Sequence, residues 1–324
     1  MRQLFFSLLC LSGLTCLAQS NSPVLLSAGN VNPFPLSVAL GEVLTLFVQT
    51  GTILAPIASS DVSAVFSTGG TNQPMPVLQV GQASTGCSAT VMAPCPQVLA
   101  VTVQVPFGIP VFCPLCATAF VIAESIAVSV NGVATTNVVV QAFQDHVHFL
   151  TACDVIMAGP GSTLPLNGGL PCIPIVTHAN GRPVSALLPA TAGEELVAYA
   201  TGLGQTNPAL TTGQPPAESI PTLATFSIDF NYRANALATQ PGAVGAPVAS
   251  PVFTGATKGY VGLYQINFIV PPPPPSLPPC VDFAAVAAGG IAVQSNLTVS
   301  VGSAFSYDGA GICVTPTVGS SNTE

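Results

Sequence analysis

Asp145-His146-Val147-His148 is the densest run of chemically capable side chains in the sequence. On a strand, alternate residues project to one face, so His146 and His148 would lie side by side as two ligands of one metal ion. A third ligand could come from His178 or Asp154. The run also reads as the polar end of a surface strand leaving a domain, and that reading carries more weight. No metal and no cofactor is expected.

Other chemistries find less support. No Gly-x-Ser-x-Gly elbow presents a serine nucleophile. Glu194 and Glu195 are adjacent, so on a strand they point to opposite faces and cannot flank a glycosidic bond. Their place after Gly193 suits a turn instead. Thr201-Gly-Leu-Gly204 comes after a strand-like run but leads into Gln205-Thr-Asn-Pro208, a turn, whereas a dinucleotide fingerprint opens a helix. No catalytic residue is assigned, and the chain is not expected to be an enzyme.

Cysteine usage points outward from the cell. Arg2, the apolar run Leu4 to Leu14 and Cys16-Leu17-Ala18 read as a signal peptide over 1–18, cleaved before Gln19. That apolar run is shorter than the roughly 20 residues a spanning helix needs, and no later stretch reaches that length. Eight cysteines then remain (Cys87, Cys95, Cys113, Cys116, Cys153, Cys172, Cys280, Cys313), an even number that in an exported chain favours disulfides. Proximity suggests Cys153–Cys172 and Cys280–Cys313, with the first four pairing among themselves. Cys113-Pro-Leu-Cys116 lacks the helix N-terminus that a redox motif uses and the second ligand pair that zinc needs.

Strands must position these residues. Thirty-two prolines and thirty glycines interrupt the chain, and only 5% of residues are charged. Short runs of Val, Thr, Ile, Ala and Phe lie between Gly, Pro, Asn and Ser. Val98–Val105, Ser125–Val130 and Asn296–Val301 alternate in the manner of half-buried strands. Asn131-Gly132 predicts a hairpin turn, with Thr135–Gln141 as the partner strand. Pro271–Pro275 predicts a polyproline II crossover rather than a ligand for a proline-reading domain. Asn296-Leu-Thr298 fits a glycosylation pattern but sits inside a predicted strand, and is discounted.

The order of elements occurs twice. Leu36–Gly51, with Gly41-Glu42, matches Leu188–Gly202, with Gly193-Glu194; Thr102–Pro106 matches Asn267–Pro271; Ser125–Val130 matches Asn296–Val301. This repetition implies an all-β chain of two tandem β-sandwich domains, over 23–145 and 180–316. A disulfide-stapled connector would span 146–179, and a tail 317–324.

Val176–Ser185, Ala192–Gly204 with its Tyr199-Ala-Thr-Gly-Leu-Gly204, Val261–Pro271 with its Gly262-Leu-Tyr-Gln-Ile-Asn267, and Leu297–Val301 resemble the Solibacter-type C-terminal domain. This is a family of uncharacterised domains on secreted bacterial proteins, similar to immunoglobulin-like IPT/TIG sandwiches. The first half resembles a divergent preceding copy. The resemblance implies that the two tandem domains are extracellular immunoglobulin-like β-sandwich domains, and it brings no catalytic residues. The cysteines and the Pro271–Pro275 run depart from the family pattern.

Composition narrows the partners. Four Lys plus Arg against twelve Asp plus Glu cannot build a phosphate-neutralising stripe, so nucleic acid is excluded. The expectation is a non-catalytic, secreted or periplasmic structural, adhesive or protein-binding module, which could self-associate. A polysaccharide-binding module is the alternative. It has little to build an aromatic platform with, since there is no Trp and only five Tyr, of which Tyr232 and Tyr307 are the candidates.

Overall fold

The computed structural model describes residues 23–28, 36–50, 57–83, 97–111, 124–152, 154, 172–243, 248–281 and 292–316. The expected leader and tail, together with Cys87, Cys95, Cys113, Cys116 and Cys153, lie outside them. The described residues are all β apart from one 3-10 turn, Ser59–Asp61.

The N-terminal half supplies β1 (Val24–Ala28), β2 (Leu36–Ala39), β3 (Val43–Thr50), β4 (Val62–Thr68), β5 (Thr71–Met75), β6 (Val77–Ala83), β7 (Gln97–Gln104), β8 (Glu124–Val130), β9 (Val133–Ala134) and β10 (Val138–Phe143). One sheet runs β1-β3-β7-β6, the other β2-β10-β8-β4-β5, with β9 paired to β8. The period-two pattern sets the faces: in β8 Ile126, Val128 and Val130 are buried, while Ser125, Ala127 and Ser129 are partly exposed. Val38, Phe66, Ile126 and Val128 from one sheet meet Leu46, Val48, Val101 and Val103 from the other in a single apolar cluster.

The C-terminal half supplies β11 (His148–Phe149), β12 (Val176–His178), β13 (Glu195–Thr201), β14 (Ile220–Pro221), β15 (Ser227–Asn231), β16 (Phe253–Ala256), β17 (Tyr264–Ile269), β18 (Leu297–Gly302) and β19 (Tyr307–Ile312). One sheet runs β11-β13-β17-β16-β14, with β12 also on β13; the other runs β15-β18-β19. A second apolar cluster joins Leu196, Ala198, Tyr264, Ile266 and Phe268 to Ile228, Leu297, Val299, Val301 and Ile312.

Segments matched by the internal repeat take corresponding places. Gly41 and Gly193 both have positive φ, +72° and +81°, ahead of β3 and β13. Those strands pair with β7 and β17 respectively. In the opposite sheets β2 runs parallel to β10, and Ala190 makes a parallel bridge to Val314. A side-chain oxygen before or at the start of the penultimate long strand then accepts an N–H eighteen residues on: Glu124 from Ala142, and Asn296 from Val314. Asn296 is fully buried and its amide donates to the Pro278 and Val314 carbonyls, so no glycan can attach there.

Two local features differ from the sequence reading. Asn131 and Gly132 do turn the chain at φ +51° and +77°, but only Val133 and Ala134 pair directly beyond them. Thr135 exchanges hydrogen bonds with Val128 through both its N–H and its Oγ1, which consumes ladder positions and delays the partner strand to β10. The ends of the stretch expected as a connector, 146–179, also form β11 and β12. Val147, Phe149 and Val176 are buried in the second cluster, and their apolar character draws those ends into the sheet.

Candidate functional site

The three histidines are not brought together. Each instead meets a carboxylate that closes a turn. Glu42 Oε2 accepts the Ala39 N–H (2.6 Å), Glu194 Oε2 the Thr191 N–H (3.0 Å) and Asp154 Oδ2 the Thr151 N–H (2.6 Å), always from three residues back. The remaining carboxylate oxygens face imidazoles: Glu42 Oε1 lies 3.3 Å from His146 Nδ1, Glu194 Oε1 2.5 Å from His178 Nδ1, and Asp154 Oδ1 3.0 Å from His148 Nε2. The repeated Gly-Glu is therefore a turn whose carboxylate also holds a histidine. His178, one candidate third metal ligand, lies with Glu194; Asp154, the other, is with His148. Among the described residues no group of three or more His, Cys, Asp or Glu is placed to hold a metal ion.

His148 is the most strongly perturbed of these groups. Burial acts to lower its pKa, but hydrogen bonds to Asp154 and Asp308 and their charges outweigh it and raise the imidazole to about 10. Its Nδ1 lies 3.4 Å from Asp308 Oδ2, so the ring ties β11 to β19, in the opposite sheet. Asp154 is correspondingly held below its usual range: burial works against this, and the His148 bond and charge prevail. His146 is raised too, because the charge and hydrogen bond of Glu42 exceed the effect of burial. Asp145 moves the other way, above the ordinary carboxylate range. Burial dominates there, only partly offset by the Ser303 and Ser306 hydroxyls that donate to its Oδ1 at 2.6 and 2.7 Å.

These residues lie at the junction of the two halves, and the Thr201-Gly-Leu-Gly204 motif is explained there. A Cβ on Gly202 would fall 1.9 Å from the His146 carbonyl oxygen, and one on Gly204 2.1 Å from that of Gln144. Both glycines let the passing chain lie directly against them. The His146 N–H donates to the Gly202 carbonyl, and the Tyr264 hydroxyl, fully buried, to that of Gly204. On the other side Val147 N–H donates to Ser306 Oγ and Phe149 N–H to Asp308 Oδ2. Gly262, from the same motif pair, abuts Gly41 and Val43 of the N-terminal half. Gln104 Oε1 accepts the Gly213 N–H (2.6 Å), and the Phe107 N–H donates to Thr212 Oγ1 (3.1 Å). Gly202 and Gly204 are a socket for the linking chain from Gln144 to His146, and Gly262 for the turn before β3 of the N-terminal half.

A separate concavity opens in the C-terminal half, between the segment before β12, the loop after it, and the end of β19. It encloses about 460 Å³, and among the described residues that line it there is no Asp, Glu, Lys, Arg or His. Ile173, Leu187, Leu237 and Val281 border it, and Leu187 and Leu237 are 82% and 85% exposed. Large aliphatic residues standing in water around one groove form an exposed apolar patch there. Its polar groups are neutral, from Ser185, Asn235, Gln294 and Ser295.

Disulfides frame this groove. Cys280 and Cys313 are joined as proximity suggested, with Cα atoms 5.8 Å apart. Cys313 lines the groove, and so does Cys172, which is also disulfide-bonded. The candidate sugar platforms stand elsewhere: the Tyr232 hydroxyl donates to the Pro271 carbonyl, with burial raising the phenol to about 12, and Tyr307 is half-exposed at the start of β19. No family model matches the chain, and no curated protein matches it significantly.

Proposed function

We propose that the protein is a secreted, non-catalytic binding module that takes an uncharged, aliphatic segment of another extracellular protein into the groove between Ile173, Leu187, Leu237 and Val281. The exposed leucine pair beside an uncharged cavity carries this reading. Covering each leucine would contribute about 1.5–3 kcal/mol, and none of the described lining residues carries a charge to oppose it. Export is supported by the leader-like N-terminus and the Cys280–Cys313 bond. The absence of catalysis is supported by the engagement of the histidines with turn-closing carboxylates, and the resemblance to the Solibacter-type domain belongs to the same proposal.

The test is titration of isotope-labelled protein with a panel of uncharged aliphatic peptides, alongside neutral and charged polysaccharides. Shifts should concentrate at Ile173, Leu187, Leu237 and Val281. Leu187→Asp and Leu237→Asp should each weaken peptide binding about tenfold or more, as loss of a buried aliphatic anchor does. Polysaccharide shifts centred on Tyr307, with none from any peptide, would overturn the proposal.

A further inference from the structure

Four of the twelve acidic residues (Glu42, Asp145, Asp154 and Asp308) and two of the three histidines gather where the halves meet. In a chain with 5% charged residues this concentration is the main electrostatic feature. Its geometry divides into two parts. His148, Asp154 and Asp308 belong to the C-terminal half alone, linking β11 to β19. Among the described ion pairs, only the His146–Glu42 contact crosses from one half to the other. Glu42 is 1% exposed and sits on the turn into β3; His146 lies on the chain that Gly202 and Gly204 receive.

We infer that His146 and Glu42 form a proton-operated latch between the halves. With His146 protonated, its Nδ1–H donates to Glu42 Oε1 and a buried carboxylate has its countercharge. The groups facing His146 are Glu42 from the turn before β3, His148 from β11, Asp308 from β19 and the adjacent Asp145. Three of the four are acids, so protonation of His146 is favoured, and His148 is the one group opposing it. Behind Glu42 stands the Tyr264 phenol, whose ionisation the carboxylate disfavours. Loss of the His146 proton removes the positive charge that faces the buried Glu42 carboxylate across the junction. The bridges from Gln104 to Gly213 and from Phe107 to Thr212 are neutral and insensitive to pH. The latch is therefore closed with His146 protonated and Glu42 ionised, and it weakens as pH rises through the His146 pKa, which lies above 6.5.

The experiment is native-state hydrogen exchange of the His146 and Gly213 amides in the full chain, with small-angle scattering, from acid to alkaline pH. Each unit by which Glu42 raises the His146 pKa should appear as about a tenfold loss of protection across the transition, beyond the intrinsic base catalysis of exchange. Glu42→Gln and His146→Gln should both abolish this pH step. His148→Gln should keep the step, because that ring does not cross the junction, and should move it to higher pH, because the charge opposing His146 protonation is gone. His178→Gln, at the corresponding turn away from the junction, is the folding control. Ring titration by NMR gives an independent reading: the His146 pKa should fall in Glu42→Gln. Protection that shows no excess pH dependence in the wild type, a step that survives in His146→Gln, or an unmoved His146 pKa in Glu42→Gln would overturn the latch.

Discussion

At the scale of single residues, His148 has a definite pH signature. Its pKa is raised from 6.5 to about 10, so its stabilisation is fully present below 6.5 and is lost as pH climbs towards 10. Asp154, lowered by the same contact, loses its contribution only as pH falls below 3.8. Replacing His148 by Gln should reduce unfolding free energy by about 1–3 kcal/mol at pH 6, and the deficit should shrink in alkaline urea titrations. Gly204→Ala should cost about 2–4 kcal/mol, combining positive φ with a Cβ set against the Gln144 carbonyl. Gly193→Ala has the same kind of φ but open space around it, so it should cost only about 1–2 kcal/mol. The sequence exposed these residues without their purpose. His146 and His148 stood out by spacing, yet their partners Glu42 and Asp308 are 104 and 160 positions away, and no local pattern joins them. The glycines of Thr201-Gly-Leu-Gly204 could be separated from a phosphate loop by the turn residues Gln205 to Pro208 beyond them. The chain that lies against them comes from another part of the sequence, Gln144 to His146, and leaves no local mark.

At the scale of elements, alternation was legible because each sheet has one dry face. The runs read as strands became β7, β8 and β18 with ends shifted by a residue or so. What could not be read was where pairing skips. Thr135 behaves as a valine-like strand residue in any pattern count, but its hydroxyl takes the Val128 N–H and interrupts the ladder. Thr135→Val should therefore leave that buried N–H unpaired and cost about 1–3 kcal/mol, measurable by thermal unfolding. The short edges β11 and β12 were equally hidden, since two or three residues carry no periodicity. Glu124 offers the opposite experiment. Burial raises its carboxyl above the ordinary range, with the Ala142 N–H working against that shift. Its native form thus favours the proton, and stability falls as pH rises through that raised value. Glu124→Gln keeps an oxygen for Ala142 and should remove this loss, gaining about 0.5–1 kcal/mol at pH 7 in urea unfolding.

At the scale of the molecule, scarcity of charge shapes where charge is used. The four histidine–carboxylate contacts among the described residues are partly or wholly buried, three of them at the junction and one at the turn before β13. Added salt should then move the melting temperature little, because a Debye length of about 8–10 Å screens exposed pairs far more than buried ones. A marked loss of stability in salt would show instead that surface pairs contribute. The parallel ladder of β2 against β10 has a further consequence. After β1 the chain runs along β2, and it leaves the N-terminal half along β10, with Leu36 to Ala39 in register with Val140 to Phe143. Tension applied between the start of β2 and the end of β10 slides the two strands lengthwise, so every bond of the ladder is loaded at once rather than one after another. The Ala190–Val314 bridge is a single parallel pairing in the C-terminal half. Tension carried through β2 and β10 would meet that ladder in shear, the geometry in which interstrand bonds yield last.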